Sequence, residues 1–93
     1  MNARDETFFA KNSELSIEFS RYVLEHPELE GSLSEDHLLV FLPEFDEELR
    51  DFNTKMAREI EGEGGKVVYV RVQQLSPKVP SRLVGVEVET QRG

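Results

Sequence analysis

Five carboxylates crowd one short stretch of this chain: Glu44, Asp46, Glu47, Glu48 and Asp51. Oxygen ligands at that density suit a hard cation such as magnesium or calcium, and Glu44, Asp46 and Glu47 form the candidate set. The spacing matches no calcium loop, and glycine is missing where such a loop turns sharply. A simpler reading uses the same residues. Asp46 suits a helix N-cap, with Glu47 and Glu48 in a first turn where the helix dipole favours negative charge. The carboxylates would also repel a phosphate offered to the free amides of that turn.

The other residue types that do chemistry are sparse. Histidine is the usual neutral-pH acid–base, and His26 and His37 are the two present. Neither has a second histidine or a serine at a catalytic spacing, so triads and zinc sites lack members. His26 precedes Pro27 at a helix end, where its charge suits the dipole, and His37 sits beside Asp36. The chain contains no cysteine, which removes thiolate catalysis, disulfides and iron–sulfur ligation. The stretch GEGG at 62–65 follows a helical pattern and precedes a strand pattern, the reverse of the order in nucleotide-binding loops. No cofactor and no catalytic residue is expected. Arg71, Lys78, Arg82 and Arg92, with Tyr69, make a weak basic face with one aromatic, and a solvated strand face explains them as well. Asn12 and Asn53 are more informative, because each falls on or beside the apolar stripe of a helix. An unpaired buried amide costs about 1–3 kcal/mol, so these two either satisfy backbone groups at a helix–sheet seam or make polar contacts in a groove.

The elements that position these residues are legible in the periodicity. Over 8–23 the apolar residues Phe8, Leu15, Phe19, Tyr22 and Val23 recur at helical spacings, and Pro27 stops the run. Ile17 and Leu24 widen its apolar sector. HLLVFL at 37–42, ended by Pro43, is too short for a stable helix and reads as a strand apolar on both faces, hence covered on both. Leu49, Phe52, Met56 and Ile60 give a second helix after Asp46, stopped by Gly62, Gly64 and Gly65. Residues 66–75 alternate, with Val68, Val70 and Val72 to one face. LSPKVPSR at 75–82 is a loop with two prolines, and 82–90 alternates again through Val84, Val86 and Val88. Residues 91–93 are expected to fray.

One domain over 1–93, with an ordered core at 6–90, follows from this length. Its fold class is α+β in the order helix–strand–helix–strand–strand. The strand–helix–strand unit predicts a parallel crossover. The last strand then pairs antiparallel with the second, giving a mixed three-stranded sheet with helices packed on the valine face. Leu39, Phe41, Val67, Tyr69 and Leu83 are assigned to the second face, with Arg71 on its polar rim. Either the first helix covers that face or another chain does. Uncovered, it would be a larger apolar patch than a soluble monomer usually exposes.

Charge and composition bound the rest. The formal net charge is −8, concentrated in the middle third, while the last third is mildly basic. An acidic chain disfavours nucleic acid, whose binding needs clustered Lys and Arg. No apolar run approaches the roughly 20 residues that span a bilayer, so no membrane partner is expected. Residues 1–6 carry charges of both signs and no apolar stretch, unlike a signal peptide. A cytoplasmic location is the expectation.

The phrases NSELSIEFSRYVLEHPEL (12–29), VFLPEFDEELRDFN (40–53) and KVVYVRVQQLSP (66–77) resemble a family of small stand-alone bacterial and archaeal proteins to which no biochemical activity is assigned. The resemblance spans roughly residues 8–80. It implies a prokaryotic cytoplasmic origin and a complete chain, and it carries no catalytic or binding residue over. Glu47 departs from the family pattern, where proline is common after the aspartate, and leaves the capping role intact. The functional expectation is a non-enzymatic module that forms a homodimer or binds a protein partner through Leu39, Phe41, Val67, Tyr69, Arg71 and Leu83. The alternative is a metal or small-ligand site at 44–51.

Overall fold

A computed structural model describes residues 2–33 and 35–90 of the chain. Arg92 and the fraying expected at 91–93 lie outside the described residues.

Helix α1 (Ala3–Glu25) begins five residues before the apolar stripe does. Asn2 caps it by accepting the Asp5 N–H at 2.9 Å, and Asp5 and Glu6 occupy the first turn. A periodicity reading finds only the part of a helix that faces a core, whereas caps and first-turn acids extend it into solvent. The helix ends at His26, whose Nδ1 lies 2.9 Å from the Tyr22 carbonyl oxygen and whose ring stacks on Tyr22. Pro27 then opens a short 3-10 turn, Pro27–Ser32.

Strand β1 (Leu38–Pro43) leads to helix α2 (Glu47–Gly62) and strand β2 (Val67–Val72). Asp46 caps α2 through Oδ1, which accepts the Leu49 N–H at 3.1 Å. The stop is local. Gly64 takes φ +89°, a conformation that favours glycine, and the Gly65 N–H donates to the Ile60 carbonyl at 2.8 Å. This places β2 parallel to β1, as the strand–helix–strand pattern predicts.

Among the described residues the sheet has these two strands and no third. The expected mixed three-stranded sheet is therefore corrected to a parallel pair. Residues 82–90 alternate as a strand should, yet they are exposed throughout and Gly85 at φ +65° breaks the extended run. Alternation specifies which face each side chain would take. It does not supply a partner edge, and a lone strand leaves its backbone groups to water.

The register corrects the assignment of faces. Phe41 stands opposite Val70 and Leu39 opposite Val68, while Val40 stands opposite Tyr69. Paired residues share a face, so Leu39 and Phe41 lie on the valine face, and Leu38, Val40 and Leu42 lie with Val67, Tyr69 and Arg71. Two strands with two-residue periods can be phased in two ways, and only the pairing selects one. Both faces of β1 are covered, as its composition predicts: Val40 is 2% exposed and Phe41 6%.

The core lies on the valine face. Phe8, Leu15 and Phe19 of α1, Leu49 of α2, Phe41, Val70 and Val72 form one apolar cluster, so both helices contribute to it. The rings of Phe19 and Phe41 meet edge-on at 5.8 Å, and Phe8 stacks on Phe52 at 4.7 Å between centroids.

Candidate functional site

Asn12 and Asn53 come together across the two helices and lock amide to amide. Asn12 Nδ2 donates to Asn53 Oδ1 at 2.9 Å, and Asn53 Nδ2 donates back to Asn12 Oδ1 at 2.8 Å. The same Asn53 nitrogen donates to the Phe41 carbonyl at 2.9 Å. Asn53 is 1% exposed, and every one of its amide groups has a partner. The pair therefore does what the structural reading of these residues requires, satisfying a backbone group of β1 at the seam with the helices. Both asparagines also line a groove of about 570 Å³ between α1, α2 and β1, with Phe9, Leu38, Phe52 and Met56 supplying its apolar wall. Phe9 was not legible as a lining residue. Next to the buried Phe8 it lies about 100° round the helix, off the stripe that periodicity detects.

The acidic turn is occupied by its own contacts. Asp46 uses Oδ1 for the helix cap and pairs Oδ2 with Lys11 Nζ at 2.8 Å. The Lys11 hydrogen bond, followed by the Leu49 N–H, holds the Asp46 carboxyl below its ordinary value. Glu44 lies 3.6 Å from the Arg71 guanidinium, and Glu47 stands exposed in the first turn of α2. Among the described residues no three His, Cys, Asp or Glu side chains are grouped to hold a metal ion.

The six interface candidates are not brought onto one surface. Phe41 is buried beneath Phe19, which answers what covers it: the first helix does. Leu39 shares its face and is half-buried. Val67, Tyr69 and Arg71 line the opposite face of β2, where Tyr69 and Arg71 are exposed. The Tyr69 hydroxyl donates to Glu61 Oε1, which pushes its pKa above the usual 10.0. Leu83 lies in the C-terminal segment, exposed and outside the sheet ladder. Lys78 and Arg82 are in that segment too and do not join Arg71 in a basic patch among the strands.

The two outer edges of the sheet differ. In the ladder Leu38 N–H donates to Lys66 O at 2.9 Å and Glu44 N–H to Val72 O at 2.8 Å. Backbone groups alternate along a parallel strand, so those of Leu39, Phe41 and Pro43 point away from β2, and those of Val67, Tyr69 and Arg71 point away from β1. The β1 edge is capped toward its C-terminal end, where Asn53 takes the Phe41 carbonyl, Pro43 has no N–H, and the Pro43 carbonyl accepts from Asp46 N–H and Arg50. No backbone hydrogen bond reaches Val67, Tyr69 or Arg71 from beyond the pair among the described residues. No helix among them is long and apolar enough to cross a membrane.

Comparison with known proteins matches residues 7–86 to a family of unknown function (DUF5647). No curated protein and no solved structure matches the chain.

Proposed function

Because the chain belongs to the DUF5647 family, whose members carry no assigned activity, we propose its role from its surface: a non-enzymatic module that associates with a second copy of itself. The observation that carries this reading is the C-terminal segment. Val84 and Val88 are 93% and 90% exposed, and Leu83 and Val86 are exposed beside them. Isolated apolar side chains on a surface are ordinary, but a strand-patterned row of them is a surface that association would bury. The absence of cysteine suits a reducing, cytoplasmic setting for such a module.

The test is the solution mass by light scattering at two protein concentrations tenfold apart. The expected mass at the higher concentration is twice 10.7 kDa. A mass of 10.7 kDa at both overturns the proposal.

A further inference from the structure

We propose that the groove between α1, α2 and β1 receives an extended peptide of a partner protein, apolar with one basic residue, which adds to β1 as a strand beside Leu39. This surface is separate from the C-terminal segment that carries the self-association reading, and neither proposal depends on the other.

The floor of the groove is strand edge. Residues 38–41 line it, and Leu39 and Phe41 turn their backbone groups away from β2. Asn53 takes the Phe41 carbonyl. The Leu39 N–H, the Leu39 carbonyl and the Phe41 N–H have no hydrogen-bond partner among the described residues. Leu39 is half-buried and Phe41 buried, and backbone groups in such places are ordinarily paired. The donor and the acceptor of Leu39 leave one edge together, the pattern that the backbone of an added strand completes. A purely apolar ligand would leave both unmatched.

The walls suit the side chains of such a strand. Phe9 on α1 and Phe52 on α2 are exposed large apolar residues, and Met56 stands beside them in the lining. Asp5, Phe9, Asn12 and Ser16 recur at spacings of four, three and four, so one face of α1 forms the length of the wall. Those eleven residues rise about 16 Å, the length of about five extended residues.

Charge selects the occupant. Asp5 is the one charged residue in the lining, and its carboxylate has no hydrogen bond or ion pair among the described residues. The formal net charge of −8 steers basic segments toward the chain and acidic ones away. The chain's own unpaired segment is a poor match. Residues 83–90 carry Glu87 and Glu89 and no base, and Gly85 at φ +65° interrupts their extended run. That mismatch holds for the same chain and for a second copy alike, which leaves a basic, apolar segment of another protein.

The test follows amide shifts of the full chain, labelled with nitrogen-15, against a pool of blocked hexapeptides. Each has one fixed lysine and otherwise valine, leucine, phenylalanine or threonine. The expected result is shifts at Leu39 and Phe41 with slowed exchange of both N–H groups. Replacing the lysine by glutamate should weaken binding about three- to fivefold, and Asp5→Lys should reverse that preference. A pool methylated on its backbone nitrogens should not bind. No shift at Leu39 and Phe41 with millimolar peptide overturns the proposal. Equal binding of the lysine and glutamate pools overturns the basic partner. Shifts confined to Phe9, Phe52 and Met56 that survive methylation overturn strand addition. NOEs from residues 83–88 to Phe9 or Met56 in the free protein show that the chain fills its own groove, and they overturn the foreign occupant.

Discussion

Asn53 uses both amide hydrogens and its carbonyl oxygen inside the protein, and one of its partners is the backbone of β1. Replacing it by Ala removes three bonds and leaves the Phe41 carbonyl and the Asn12 amide without their partner. A loss of about 2–3 kcal/mol is expected, against about 1–2 kcal/mol for Asn12→Ala at the more open end of the pair. The double variant should lose less than the sum, because the two bonds between the amides are shared. Urea denaturation of the three variants measures this, and strict additivity would show that the amides act independently. Asp46 gives a pH prediction. Lys11 and the Leu49 N–H favour its ionised form, so its folded pKa lies below the ordinary 3.8. Its contribution is therefore complete above the unfolded value and fades as pH falls through the depressed one. Asp46→Asn keeps the capping oxygen and loses the charge, so its urea midpoint should fall less steeply than that of wild type on acidification below pH 4. Asp46→Ala should in addition lower stability at pH 7 by about 1 kcal/mol through the lost cap. Equal acid limbs in Asp46→Asn and wild type would remove Asp46 from the acid transition.

At the scale of elements, α2 was the most legible because cap, stripe and stop agree along one segment, and each is a local signal. Its stop also makes a prediction. A Cβ on Gly65 would collide with the Ile60 side chain and stand 2.9 Å from the Ile60 carbonyl oxygen, which already accepts the Gly65 N–H. Gly65→Ala should cost about 1–3 kcal/mol from this overpacking. Gly62→Ala meets nothing within 4 Å and should be neutral or stabilising by up to about 1 kcal/mol. Thermal denaturation of both variants checks the contrast, and equal melting temperatures would contradict the close approach at Gly65. The start of α1 was less legible, since residues 3–7 carry no apolar stripe and are held by the Asn2 cap and acidic first turn.

For the whole molecule, the radius of gyration is 18.0 Å, against about 12 Å for a compact chain of this length. The excess accompanies a C-terminal segment that lies exposed from residue 73 to residue 90. Two helices and two strands share one apolar cluster, while residues 73–90 contribute no buried residue. The mass measurement belongs at this scale, because it asks whether association buries that exposed segment.

The sequence by itself determined the order and nature of four elements, the parallel pairing of the strands, and the caps and stops of α2. These follow from periodicity, turn residues and capping chemistry, which act within about ten residues of one another. It also placed Asn12 and Asn53 on the helix stripes. Tertiary structure decided what depends on meeting across the chain. It chose the phase of β1 against β2, which moved Leu39 and Phe41 to the valine face, and it laid Phe19 over Phe41. It turned two separate asparagines into one closed pair and tied the Phe41 carbonyl of β1 to it. It also left residues 82–90 unpaired, because alternation gives a strand its faces while only an accessible edge gives it hydrogen bonds.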